Sequence, residues 1–193
     1  MTGDGNRVEV TVPDDTQLLF IASQKFESGK AVRGALLLTD GDTKPVEFRC
    51  TNPIRPTSLQ TVLYGQMLET HLMVELIGLP LVNSLRQPPT VILVQEPELL
   101  GLRHRVHSPI LQIAKESSIA INGNNGNGTA LLSSASGQFE AVVLVAQKEF
   151  ATDIPTCMPV LTKVFNRFDL LEPFKRVVNA LEQVHQQKIG ESK

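Results

Sequence analysis

Alternating and continuous apolar segments predict strands in the first quarter of the chain. Residues 8–12 alternate apolar and polar side chains, which suits a short half-buried strand. The apolar run LLFIAS, the turn ESGK and the run AVRGALLLT then predict a hairpin. A polar turn leads into PVEFRCT, in which Val46, Phe48 and Cys50 share one face. We therefore predict a three-stranded antiparallel meander over residues 17–51.

A helix is predicted directly after the meander. Thr57 and Gln60 form a capping box, because the hydroxyl and the amide each satisfy a backbone N–H at the helix start. Gly65 interrupts the helix at a cost of ~1 kcal/mol relative to alanine. The sequence leaves open whether the segment is one helix or two that meet near Gly65. Gly78 and Pro80 predict its end.

The middle of the chain predicts a second pair of strands. TVILVQ and PILQIA are short, apolar and rich in β-branched residues, which is typical of buried strands. Pro97 suits the first turn of a short helix between them. Strand, helix and strand in this order predict that the two strands are parallel.

The last third of the chain predicts a hairpin and two helices. Residues 122–128, NGNNGNG, predict a flexible loop, and TALLSS with FEAVVLVA predicts a hairpin after it. Thr156 is the expected cap of one helix, and Pro173 the expected first residue of the next. From residue 187 the chain is polar, and we expect a tail there.

These elements predict a single mixed-sheet α/β domain over residues 1–193. The antiparallel meander is extended by buried parallel strands, and helices pack on the sheet. Over residues 17–114 the order of elements resembles that of ribonuclease H-like domains, which implies two metal ions held by carboxylates on the first and central strands. Here LLFIAS has no acidic residue, and the fourth strand offers only Gln95 and Glu96 at its end. The usual metal site is therefore expected to be missing and nuclease activity to be disfavoured.

The charge of the chain bears on its partners. There are 18 basic and 20 acidic side chains, a net charge of −2, so no overall positive field attracts nucleic acid. One local basic patch remains, formed by Arg103, His104, Arg105 and His107. The N-terminus lacks the features of a signal peptide, and no apolar run approaches the ~20 residues that span a bilayer. We predict a cytoplasmic protein.

Candidate metal and nucleophile residues are scattered. Cys50 and Cys157 are too far apart for a CxxC pair and are predicted to be buried thiols. His71 with Glu75, or His104 with His107, supplies two metal ligands without a third at recognisable spacing. NGNNGNG lacks the Gly-Lys-Ser/Thr ending of a phosphate loop. We predict no metal and no cofactor.

The corner between the meander and the helix is the predicted binding site. Arg49 and Thr51 point away from the core side of their strand, while Asn52 and Arg55 occupy the turn before the helix N-terminus. With Tyr64, the only tyrosine, they predict a site for an anion such as a carboxylate or phosphate. The alternative is that the arginines pair with Glu47, Glu69 or Glu75 and fix the angle between strand and helix.

The predicted function is a non-catalytic intracellular binding or assembly module. Its partner would be a protein or a second copy of the chain, bound at the corner or at an exposed sheet edge, with nucleic acid and membranes disfavoured. One alternative is a metal-dependent hydrolase acting on a phosphate-containing substrate. Its cleft would contain Glu47, Arg49, Arg55 and His71. Another alternative is a nucleic-acid accessory protein that uses the basic patch.

Overall fold

A computed structural model describes residues 15–118 and 128–191. The described strands form one seven-stranded sheet in the order β3-β2-β1-β4-β5-β7-β6. Their bounds are β1 Gln17–Phe26, β2 Ala31–Asp40, β3 Pro45–Cys50, β4 Val91–Val94, β5 Ile110–Lys115, β6 Gly128–Leu132 and β7 Val142–Ala146. The sheet is mixed, as the sequence predicts.

The predicted meander is confirmed. β1 pairs antiparallel with β2 along its whole length, from Gln17 opposite Asp40 to Phe26 opposite Ala31. β3 pairs antiparallel with β2. The turn before β3 is held by the Asp40 carboxylate, whose Oδ1 accepts from the amides of Asp42 and Lys44, each at 2.9 Å.

The central strands are parallel. β4 pairs with β1 and with β5 in parallel register, which confirms the predicted strand–helix–strand unit. β7 returns antiparallel to β5, and β6 pairs antiparallel with β7 as the predicted hairpin. The carboxyl ends of β1, β4 and β5 consequently meet at one edge, which we call the carboxyl edge.

Helical segments lie between and after the strands. The α-helices are α1 Ser58–Tyr64, α2 Met67–His71, α3 Leu79–Asn83, α4 Asp153–Phe165 and α5 Glu172–Glu191. A π-helical segment, Leu72–Gly78, joins α2 to α3, and the 3-10 segment Pro97–His104 connects β4 to β5. Shorter 3-10 turns span Glu27–Gly29, Glu116–Ser118 and Lys148–Phe150. Among the described residues no helix combines the length and apolar character needed to cross a bilayer.

Helices cover both faces of the sheet. Phe20 and Leu93 belong to the face that packs on α4 and α5, and Ile21 and Ile92 to the face that packs on the π-helical segment, α3 and the 3-10 segment. Successive strand residues alternate between these two cores, which explains why the central strands are apolar without interruption. We call the two sides of the sheet the α5 face and the π-helix face.

The π-helical segment approaches the sheet closely at Gly34 of β2. A Cβ atom at this position would lie 2.0 Å from Cγ2 of Ile77, which is far shorter than any contact between non-bonded carbon atoms. Ile77 itself is completely buried. Glycine at residue 34 therefore makes room for a core side chain from the opposite layer.

Gly65 does divide the predicted helix. It has a φ of 50° and its N–H bonds to the Thr61 carbonyl, so α1 ends there. The Thr57–Gln60 capping box is present at the start of α1. None of the α1 residues is buried, and Val62 is 78% exposed.

Two predicted helix boundaries are wrong. Helical structure continues past Gly78 to Asn83, because Pro80 lies in the first turn of α3, where its missing N–H is tolerated. α4 begins at Asp153, ahead of the expected cap Thr156, whose hydroxyl donates to the Thr152 carbonyl 2.8 Å away inside the helix.

Parts of three predictions fall on residues that are not described. The strand at residues 8–12 and residues 122–127 of the predicted loop lie outside the described ranges. Within the expected polar tail, residues 187–191 belong to α5, and residues 192–193 lie outside the described ranges.

Candidate nucleic-acid interface

The carboxyl edge is the position at which open α/β sheets usually hold ligands, just outside the ends of their parallel strands. In this chain the edge has two features, one on each face of the sheet. On the π-helix face a serine donates hydrogen bonds to a glutamate, and on the α5 face there is a cavity.

Ser23 and Glu96 meet on the π-helix face. Ser23 continues the alternation of Ile21 on β1, and Glu96 follows Val94, the last residue of β4. The amide and the hydroxyl of Ser23 each donate to Oε1 of Glu96 at 2.8 Å. The other carboxylate oxygen, Oε2, is buried and has no hydrogen-bond partner among the described residues. Parallel pairing of β1 with β4 brings the two residues together.

The cavity on the α5 face has a volume of about 440 Å³. Its floor is apolar and includes Phe174, which is buried and packs edge-on against Phe20. Its polar rim combines side chains from two strand ends and one helix: Gln95, Lys115, Lys175 and Asn179. We call it the carboxyl-edge cavity. An apolar floor with a few converging polar groups is the usual form of a ligand site.

The two lysines of this cavity differ in their partners. Lys115 forms an ion pair with Glu140, with Nζ 2.7 Å from Oε2. The hydrogen bond between them raises the pKa of Lys115 and lowers the pKa of Glu140. Lys175 is exposed and makes no ion pair with the described residues. Within the part of the chain that the structure describes, the cavity therefore carries one paired and one unpaired cation.

The predicted corner also borders a cavity. Arg49, Thr51 and Asn52 line a space of about 420 Å³ together with α3 and Ser84. The Thr51 hydroxyl already accepts a hydrogen bond from the Gly34 backbone amide at 3.1 Å. Arg49 pairs with Glu47 on the same strand. Three of the five predicted site residues are thus brought together.

The other two predicted residues have separate partners. Arg55 pairs with Glu27, with Nε 2.9 Å from Oε2. This contact lowers the pKa of Glu27 and raises the pKa of Arg55. The Tyr64 ring stacks on His71 at 4.4 Å between centroids. Of the glutamate partners that the alternative named, Arg49 has Glu47, whereas Arg55 pairs with Glu27, which was not among them. Anion binding at the corner stays a prediction.

The basic patch is neutralised by acids from other segments. Arg103 donates to Asp153, and its guanidinium lies 4.4 Å from the centre of the Phe150 ring. Arg105 pairs with Glu75 at 2.6 Å. Arg103 is thus held by a buried acid, whereas the Arg105–Glu75 contact is an exposed surface pair, and use of the patch by nucleic acid stays a prediction.

The candidate metal pairs gain no third ligand. Within residues 15–118 and 128–191 there is no group of three or more His, Cys, Asp or Glu placed to hold a metal ion. The hydrolase alternative placed four residues in one cleft, but Arg49 pairs with Glu47, Arg55 with Glu27, and His71 stacks on tyrosine.

Sequence reasoning noted Glu96 but did not select it, and it missed Ser23, Lys115 and Lys175. The available signal was the parallel order of β4 and β5, because parallel strands place their ends at one edge. Applied to Val94 and Lys115, the last residues of β4 and β5, that rule would have identified the carboxyl edge.

The topology defines the fold class. Strand order 3-2-1-4-5 with an antiparallel meander, extended here by β7 and β6 and covered by helices on both faces, is a ribonuclease H-like α/β fold. Solved structures of endonuclease V share it. That from Streptomyces avermitilis has a TM-score of 0.53 and 13% identity, over 92% of this chain and 85% of that one. That from Bacillus subtilis has a TM-score of 0.50 and 12% identity, over 88% and 82%.

A third structure is Ciona intestinalis endonuclease V in complex with a 24mer DNA containing an inosine followed by a ribo-adenosine. It has a TM-score of 0.45 and 10% identity, over 88% of this chain and 87% of that one. No family model and no curated protein matches the sequence.

This likeness contradicts the predicted function and partner. Endonucleases act on nucleic acid, and the endonuclease V from Streptomyces avermitilis shares the fold over 92% of this chain, which argues against a non-catalytic module for protein partners. The prediction relied on the net charge of −2, whereas nucleic-acid contacts depend on local charge. The alternative of a hydrolase acting on a phosphate-containing substrate agrees better with the likeness.

Proposed function

We propose that this protein binds nucleic acid at the carboxyl edge of its sheet. The observation that carries the proposal is the carboxyl-edge cavity, in which Lys115 and Lys175 surround an apolar floor at the ends of parallel strands. The fold that the chain shares with endonuclease V supports nucleic acid as the ligand class.

The cavity offers suitable chemistry for a sugar–phosphate backbone. Lys175 and Asn179 are four residues apart on α5 and so share a helix face. A lysine neutralises phosphate, and a side-chain amide donates to phosphate or sugar oxygens. Lys115 can exchange its exposed Glu140 partner for a phosphate at little cost, since solvent screens ion pairs at the surface.

The test is a binding titration with fluorescein-labelled single-stranded DNA, duplex DNA and single-stranded RNA, followed by anisotropy at increasing salt. We expect binding that weakens as salt rises, because bound lysines release counterions. Lys175→Ala should weaken binding to every sequence and reduce the salt slope by about 1.

Lys44→Ala is the matched control. Lys44 is an exposed lysine in the β2–β3 turn, at the opposite edge of the sheet, and forms no ion pair with the described residues. This variant should bind like the wild type. Absence of binding to all three probes at low salt, or equal losses in the two variants, would overturn the proposal.

Three further expectations stand as proposals. We propose that the chain forms one domain, supported by the single sheet that carries both cores. A cytoplasmic location is supported by two free cysteines, which suit a reducing compartment. The corner cavity at Arg49, Thr51 and Asn52 is a second candidate for anion contact.

A further inference from the structure

The contact between Ser23 and Glu96 joins the first strand to the end of the central strand, the two strands on which the ribonuclease H-like topology implies carboxylates. Such enzymes hold metal ions between acids on the first and central strands. In this chain the central-strand acid is Glu96, directly after β4, and the residue that faces it from the first strand is Ser23. A hydroxyl therefore stands where a second carboxylate would be required.

The residues do not fit a divalent cation. Oε1 of Glu96 already accepts two hydrogen bonds from Ser23, and Oε2 is enclosed by protein atoms. Mg²⁺ and related hard ions need several oxygen ligands, usually with one or two carboxylates. Across the described ranges Glu96 belongs to no group of three or more histidine, cysteine, aspartate or glutamate residues that could hold a metal.

We propose that Ser23 takes the place of the cation at the carboxyl edge, so that no divalent ion binds at Glu96. The N–H and the O–H of Ser23 both point at Oε1 of Glu96. Their partial positive charges compensate the charge of the carboxylate, which is what a bound cation would otherwise do. Both donors lie 2.8 Å from Oε1, an ordinary hydrogen-bond distance, so this oxygen is satisfied by Ser23. This inference does not depend on nucleic-acid binding.

A single substitution should open the position to metal. Ser23→Asp replaces the hydroxyl donor with a second carboxylate, and two carboxylates side by side repel each other until a cation joins them. The variant should be less stable than the wild type without metal and should regain stability when Mn²⁺ binds, because a ligand that binds only the folded state raises the melting temperature.

The experiment measures Mn²⁺ binding by electron paramagnetic resonance and by thermal unfolding, in four proteins. These are the wild type, Glu96→Gln, Ser23→Asp and the double variant. We expect the wild type and Glu96→Gln to respond alike to Mn²⁺, in both binding and melting temperature. Ser23→Asp should bind Mn²⁺ and gain several degrees in melting temperature when it does. The double variant, which also carries Glu96→Gln, should show neither effect.

Two results would overturn the inference. One is a wild-type protein that binds Mn²⁺ and loses that binding on Glu96→Gln. The other is a folded Ser23→Asp variant that binds no Mn²⁺, because Ser23 would then not be what closes the position. Should Ser23→Asp fail to fold, Ser23→Glu with its longer side chain supplies the same carboxylate, and the wild-type comparison with Glu96→Gln still decides the first point.

Discussion

Arg103 and Asp153 join the two helical layers at the edge of the sheet opposite the carboxyl edge. Arg103 belongs to the 3-10 segment on the π-helix face, and Asp153 is the first residue of α4 on the other face; Nε lies 2.7 Å from Oδ2. The same carboxylate oxygen lies 3.4 Å from the amide of Ile110, where β5 begins. One buried acid thus connects both layers and the central sheet.

Asp153→Ala should lower the free energy of unfolding by about 3 kcal/mol, because it leaves the Arg103 guanidinium without its counter-charge. The Arg103 side chain is 19% exposed and that of Asp153 is 7% exposed, so solvent screens the pair little. Urea unfolding measures the change. Glu149→Ala is the control, since its contact with His104 involves a glutamate side chain that is 72% exposed and should contribute almost nothing. A loss below about 1 kcal/mol for Asp153→Ala would contradict this account.

Gly34→Ala should destabilise the fold by about 1–3 kcal/mol through overpacking. The added Cβ would lie 2.0 Å from Cγ2 of Ile77. The partner change, Ile77→Ala, removes that atom and costs about 2–5 kcal/mol by itself. The double variant should lose less than the sum of the single losses, because the clash is absent without Cγ2. Strictly additive losses in chemical denaturation would show that the two positions are not in contact.

The sheet could be predicted from sequence, and the contacts at its carboxyl edge could not. Alternation and turn residues specify β1 to β3 locally, and a short helix between two apolar runs specifies that β4 and β5 are parallel. Ser23 and Glu96, in contrast, are 73 residues apart, and their contact depends on the whole sheet order. The partner of Arg103 could not be predicted for a similar reason, since Asp153 lies 50 residues away along the chain.

The two cysteines should react at different rates with a thiol reagent. Burial raises the pKa of the Cys157 thiol to about 12, with the Asp153 carboxylate adding to the effect, so the reactive thiolate is almost absent near neutral pH. Cys50 is only half-buried. Mass spectrometry after brief iodoacetamide treatment of the native protein should find the label on Cys50.

Cys50→Ala provides the control for this labelling. The variant should take up no label while folded and one label per chain in denaturant, where Cys157 becomes accessible. Rapid labelling of the folded Cys50→Ala protein would mean that the core around α4 opens far more readily than its packing implies.

Stability in acid should depend on Glu27. Its hydrogen bond from Arg55 lowers the pKa of the carboxyl below the ordinary 4.5. A carboxyl with a lower pKa in the folded state stabilises the fold above its unfolded pKa, and this stability is lost as the pH falls through the folded value. Glu27→Gln should therefore weaken the fall in unfolding free energy below about pH 4.5.

Urea unfolding over a pH series measures that dependence. Glu116→Gln is the control, because Glu116 is an exposed acid without an ion pair to the described residues. Its acid dependence should match the wild type. Identical profiles for Glu27→Gln and the wild type would show that the Arg55 contact does not persist in solution.

Thr57→Ala should loosen α1 without changing the stability of the whole protein. The Thr57 side chain accepts from the Gln60 amide at 3.2 Å, and the loss of such a cap costs ~1 kcal/mol of helix stability. Because α1 buries none of its residues, the lost cap makes local unfolding of α1 easier and leaves the stability of the core unchanged. Hydrogen exchange of the α1 amides should accelerate about fivefold, the factor that corresponds to ~1 kcal/mol. The melting temperature should stay unchanged, and a fall of several degrees would show that α1 unfolds together with the core.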